Sequence, residues 1–169
     1  MKKRILVIDD EAPVREFMKK ILTRAGYIIF TASDGKEAIE KLENLYVDLI
    51  ILDMHMPQMN GLEVLNLIRS NNITNKPVLM VSGNHDADLR IESYKLGAYD
   101  FITKPEQTEV MLKRIENGIK IGEIIDFNDY MKVELFMAKK LQKYIFPEPY
   151  FNSSDLDIFS WSLPLSDIG

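Results

Sequence analysis

The sequence predicts an α/β fold: a doubly wound, five-stranded parallel sheet of order 2-1-3-4-5 with flanking helices, followed by a long C-terminal helical extension. Three observations predict it. Five short apolar runs alternate with five stretches of helical period over about 120 residues, which implies βαβ units and right-handed crossovers. The third run, Ile50-Ile51-Leu52, is continuously apolar, so it reads as a buried parallel strand. The first and third runs end in carboxylates, Asp9-Asp10 and Asp53, where open α/β sheets place their chemistry.

Arg4 to Ile8 is a short β-branched run, read as the first strand. Pro13 suits the first position of a helix. Val14, Phe17, Met18, Ile21 and Leu22 then recur at spacings of three and four. Gly26 closes that helix. Tyr27 to Thr31 reads as strand two. Asp34, with Glu37 three residues on, makes a capping-box signature for a second helix. Asp48 to Leu52 is strand three, and Gly61 to Arg69 is the third helix. Pro77 to Val81 is strand four. Asp86 to Leu96 is a helix stopped by Gly97, and Tyr99 to Ile102 is strand five. Pro105 and Glu106 open the fifth helix. From Glu106 to about Ile145 the pattern stays helical, with Gly118 and Gly122 as weak points where it could hinge.

The bulk composition sets the class. The 169 residues are 46% hydrophobic and 28% charged, ordinary for a globular protein. No cysteine is present, which removes thiol and disulfide chemistry. No apolar run is long enough to span a bilayer, so a cytoplasmic location with no membrane partner is expected. From Glu123 onward there are four lysines against eight acids, which accounts for most of the net charge of −5. Such an acidic segment is a poor nucleic-acid binder.

The candidate site follows from the strand ends. Asp9, Asp10 and Asp53 brought to one sheet edge would repel one another, and a divalent cation offsets this. Hard oxygen ligands suit Mg²⁺ or Mn²⁺. Ser82 ends strand four and can donate a hydroxyl to a phosphoryl oxygen. Lys104 follows strand five and can reach the same group as a point charge. Singly, each residue has a plain alternative: the Asp pair as a helix cap, Asp53 and Ser82-Gly83 as turns, Lys104-Pro105 as a loop dipeptide. The set at four strand ends points to Asp53 as a phosphoryl acceptor.

The motifs Val7-Ile8-Asp9-Asp10-Glu11, Leu52-Asp53-Met54-His55-Met56-Pro57-Gln58-Met59-Asn60-Gly61, Val81-Ser82-Gly83 and Gly97-Ala98-Tyr99-Asp100-Phe101-Ile102-Thr103-Lys104-Pro105 resemble the receiver domain of two-component response regulators. The resemblance implies that Asp53 takes a phosphoryl group from a sensor histidine kinase. It implies a Mg²⁺ site of Asp10, Asp53 and the backbone carbonyl of His55, with Asp9 reaching it through water. Ser82 and Lys104 would hold phosphoryl oxygens, Phe101 would be the switch aromatic, and His55 and Asn84 would tune the phosphoryl lifetime. Lys104-Pro105 is expected to be cis.

Residues 1–121 are therefore read as the receiver and 122–146 as a helical linker, a possible coiled coil joining two copies, although its apolar residues keep no clean a/d heptad; the alternative is that this face packs back on the receiver or on another domain. Residues 147–169 read as the start of a truncated effector, with a strand over Asp157 to Ser162. The stretch Ala138 to Pro147 resembles the entry to bacterial sporulation and stress-type metal-dependent Ser/Thr phosphatase domains. That resemblance implies a phosphatase output acting on a protein target. The alternative is a receiver plus helix that works by dimerising or docking a partner.

Overall fold

The computed structural model describes residues 1–83, 87–145, 152–153 and 156–157. Five parallel strands, β1 (Arg4–Ile8), β2 (Ile28–Ala32), β3 (Leu49–Asp53), β4 (Val78–Ser82) and β5 (Asp100–Thr103), pair in the order β2-β1-β3-β4-β5. Between and after them run α1 (Ala12–Arg24), α2 (Gly35–Asn44), α3 (Gly61–Ser70), α4 (Ala87–Lys95) and α5 (Thr108–Ile145). A two-residue antiparallel pair, β6 (Asn152–Ser153) and β7 (Leu156–Asp157), follows. Of the strand expected over Asp157 to Ser162, only Asp157 lies within the described residues. The chain forms two compact units, Met1–Ile125 and Asp126–Gly169.

In the first unit, side-chain alternation along the strands builds two cores. Leu6, Ile8, Ile50, Leu52, Val78, Met80 and Phe101 face one side, with Ala38 and Leu42 of α2 and Val64, Leu65 and Ile68 of α3. Ile5, Val7, Leu49, Ile51, Leu79, Val81 and Ile102 face the other, with Met18 and Leu22 of α1 and Ile115 and Ile119 of α5. This is why the central strands read as continuous apolar runs: both faces are covered. The register aligns Ile8 with Leu52, Asp53 with Val81, and Ser82 with Thr103. The ends of β1, β3, β4 and β5 are thereby brought level at one edge.

Turn chemistry fixes the elements. Gly26 and Gly97 take φ of 97° and 87° after their helices, a conformation glycine adopts freely. Asn60 caps α3 in a full capping box with Glu63. Asp34 caps α2 through the Glu37 amide. The Glu37 carboxylate in turn accepts from the Ser33 amide at 2.7 Å and hydroxyl at 2.8 Å, and from Lys41 at 2.6 Å. Lys41 and then Ser33 hold the Glu37 carboxyl down to about 2. A depressed acid stabilises above its unfolded value of about 4.3 and loses that contribution as pH falls towards 2. Glu37→Gln is therefore expected to cost about 0.5–1 kcal/mol at pH 7, a figure reduced for its partial exposure. Urea melts should show the cost vanishing below about pH 2.5.

The fifth helix differs from the sequence expectation twice. It starts at Thr108, after the loop carrying Pro105 and Glu106. It also passes Gly118 and Gly122 without a break, where the sequence allowed a hinge. Both glycines are seats. A Cβ on Gly118 would lie 2.5 Å from Leu49 Cδ1, and one on Gly122 would lie 3.2 Å from the Asp48 carbonyl oxygen. Lys3 adds a bridge at this end, 3.3 Å from Asp48 and 2.8 Å from Glu123 of α5.

Candidate phosphoacceptor site

Asp9 and Asp10 follow β1, Asp53 ends β3, Ser82 ends β4 and Lys104 follows β5. The Lys104 ammonium lies 2.7 Å from Asp53 Oδ1 and 3.1 Å from Asp9 Oδ2. Both acids are buried, with 8% and 5% of their side chains exposed. The second oxygen of Asp53 accepts the His55 amide at 2.7 Å. The second oxygen of Asp9 accepts the Glu11 amide at 2.9 Å. Each carboxylate is thus held from two sides, which fixes its rotamer. Burial alone pulls the Lys104 ammonium down, but its bonds to Asp53 and Asp9 and their charges outweigh this, so the net shift is upward.

The loops are held as firmly as the side chains. The Lys104 amide donates to the Ser82 carbonyl at 2.6 Å, and Lys104-Pro105 is cis. The Met54 amide donates to Val81, extending the β3–β4 ladder past Asp53. Two contributors are given no role by the sequence reading. Arg15 donates from one guanidinium nitrogen to the carbonyls of Asp9 and Asp10, at 2.7 and 2.8 Å, and so orients the turn after β1. Gly61 packs where a Cβ would come within 2.3 Å of the Asp53 carbonyl oxygen. Its amide donates to Met54. The start of α3 is therefore pressed against the backbone of Asp53, a fit only glycine permits.

The remaining site residues fall into place individually. Asp10 is half-buried, and Ser82 is fully buried at the end of its strand. His55 is exposed. Phe101 is buried in the core shared with α2 and α3, with the Arg90 guanidinium 5.9 Å from its ring centre. Asn84 lies outside the described residues.

The donor set tests whether a metal suits this edge. Among the described residues no three His, Cys, Asp or Glu side chains stand ready as a metal cluster. Mg²⁺ does not require one, because it takes one or two carboxylates and keeps several waters. Two buried carboxylates already converge on the Lys104 cation, all available donors are oxygens, and the expected ligand set adds only a backbone carbonyl. The residues present fit a small hard cation. Among the described residues no helix is long and apolar enough to cross a membrane.

Comparison with known proteins gives consistent results. The family model described as response regulator receiver domain matches residues 5–116. The alkaline phosphatase synthesis transcriptional regulatory protein PhoP of Bacillus subtilis is 33% identical over 165 residues, covering 94% of this chain and 68% of that protein. The chemotaxis protein CheY of Thermotoga maritima is 39% identical over 121 residues, 71% of this chain and all of that protein. Among solved structures, a CheY-like receiver domain protein from Methanospirillum hungatei superposes with a TM-score of 0.68 at 29% identity, covering 73% of this chain and 98% of that one. Two further curated relatives are spanned over only 32% and 50% of their length. A family match over most of the first unit, on a sheet of this order with its acids at these strand ends, places the chain in the response regulator receiver domain family.

Proposed function

We propose that Asp53 accepts a phosphoryl group from the phosphohistidine of a sensor histidine kinase, and that residues 1–121 are the receiver that does so. The observation that carries this is Lys104, held between Asp53 and Asp9 at 2.7 and 3.1 Å. A carboxylate oxygen of Asp53 attacks phosphorus, the P–N bond to the kinase imidazole breaks, and the imidazole leaves with that electron pair. The His55 amide and Lys104 hold the Asp53 carboxylate still for this attack. Lys104 then follows the negative charge onto the phosphoryl oxygens. Asp10, Asp53 and the His55 carbonyl, with Asp9 through water, would hold Mg²⁺ or Mn²⁺, which supplies charge compensation for in-line transfer.

In this reading Ser82 contacts the new phosphoryl group and Phe101 reports the change to the surface around β5. His55 and Asn84 set how long the acyl phosphate lasts. Residues 122–146 link the receiver to an effector that starts at 147–169, and hold a second copy of the chain. The sequence from Ala138 to Pro147 supports a Ser/Thr phosphatase module, acting on a protein target, as that output. A partner-docking role for receiver and helix is the second reading, favoured by the exposed apolar residues of α5.

Incubation with acetyl phosphate and Mg²⁺, followed by intact-mass measurement, tests the central step. One added phosphoryl group per chain is expected. Chelating the divalent cation should slow its appearance by more than about tenfold. A folded chain that gains no mass would overturn the reading.

A further inference from the structure

From Asp126 to Gln142 α5 buries no side chain completely. Helices of this length take most of their stability from tertiary packing. Phe127, Tyr130, Met131, Leu135, Met137 and Leu141 are all exposed, to between 40% and 61%. At about 100° per residue, these six and Ala138 fall within one stripe about 160° wide. The lysines lie outside it. Lys132 pairs with Asp129 at 3.3 Å, and the Lys140 ammonium covers the Phe136 ring at 5.3 Å, both on the opposite side. Glu134 is the one charge inside the stripe over this span, and it accepts a hydrogen bond from the Tyr130 hydroxyl of the same helix.

We propose that this stripe is a self-association surface whose occupant is the same stripe of a second copy, with Phe127, Met131, Ala138 and Leu141 on the seam. The inference deepens the linker reading given above and rests on it. Heptad positions explain the choice of occupant. With Met131 and Ala138 at a, and Phe127, Glu134 and Leu141 at d, the flanking e and g positions are Asn128, Tyr130, Leu135, Met137 and Gln142. Those flanks normally carry the charges that set partner choice. Here all are uncharged, so two identical helices meet with no like-charge repulsion at the flanks. A strongly acidic or basic partner would find nothing to pair with.

The area also suits two copies. Six half-exposed side chains of this size offer about 550 Å² per helix, or about 1,100 Å² between two. That reaches the roughly 1,000 Å² a specific interface needs. Glu134 is the misfit, because pairing takes its carboxylate out of water at a cost only partly met by Tyr130.

Sedimentation of the full chain across micromolar concentrations tests this, with helicity followed by circular dichroism and the phosphoryl adduct by intact mass. The wild type is expected to dimerise. Phe127→Asp with Leu141→Asp should weaken dimerisation by at least about 100-fold. Glu134→Leu should tighten it about tenfold. Phe136→Ser, on the opposite side, should leave it unchanged. A monomeric wild type with intact helicity overturns the inference, as when residues 146–169 cover the stripe instead. So does Phe136→Ser weakening association as much as the double variant. A monomer that still takes the phosphoryl group sinks this inference and the pairing role of the linker, and leaves the phosphoacceptor reading standing. A dimer that takes none sinks the phosphoacceptor reading alone.

Discussion

Asp53→Asn is expected to leave a folded chain that gains no phosphoryl group. The amide has nearly the shape of the carboxylate, and its oxygen can still accept from His55 or Lys104. It has lost the nucleophile: an amide oxygen carries no negative charge to attack phosphorus. Acetyl phosphate that labels the wild type should give at least about 1,000-fold less adduct in the variant by intact mass. Stability should change by no more than about 2 kcal/mol, because Lys104 keeps Asp9 and one carboxylate of a repelling pair is gone. An adduct of undiminished yield would mean that another side chain is the acceptor.

Gly61→Ala is expected to have the largest effect on stability. The added Cβ would stand 2.3 Å from the Asp53 carbonyl oxygen and 3.0 Å from Met54 Cα, both backbone atoms that cannot rotate away. Either the start of α3 lifts or the end of β3 shifts. Overpacking of this kind costs about 2–3 kcal/mol, which for a unit of this size lowers the unfolding midpoint by roughly 6–15 °C. Because β3 ends in Asp53, the strain also reaches the acceptor. Phosphoryl uptake should slow by at least about tenfold even well below the melting point. A variant with wild-type melting would show that α3 does not press on β3 as described.

The sequence made the centre of the sheet legible because β1, β3 and β4 are short apolar runs covered on both faces, each ending at or just before a polar residue. Asp9, Ser82 and Lys104 stood out because nothing apolar explains them. The misreading of the α5 glycines has a physical source, which is contact made at a distance. Gly118 and Gly122 look weak by helix propensity, yet Leu49 and Asp48 lie so close that a side chain there would collide. The pattern of α5 contains neither neighbour. Arg15 reads as an ordinary exposed cation on α1, and only the fold shows its guanidinium reaching back to two carbonyls. The sequence placed Asp9, Asp10, Asp53 and Lys104 at one edge, but that Lys104 itself bridges Asp9 and Asp53 is seen only in the fold.

Gly118 and Gly122 are spaced by four residues, about one helical turn. Sliding α5 by that turn would bring Gly122 to the place of Gly118 in one direction, but Asp126 would then arrive where Gly122 meets the Asp48 carbonyl. In the other direction Arg114 would be driven against Leu49. A slide of α5 by a whole turn is therefore barred in both directions, as a key is stopped by its lock. Lengthening or shortening the loop between β5 and α5 cannot be absorbed by such a slide. A signal carried along α5 therefore cannot be an axial stroke of a whole turn, about 5.4 Å.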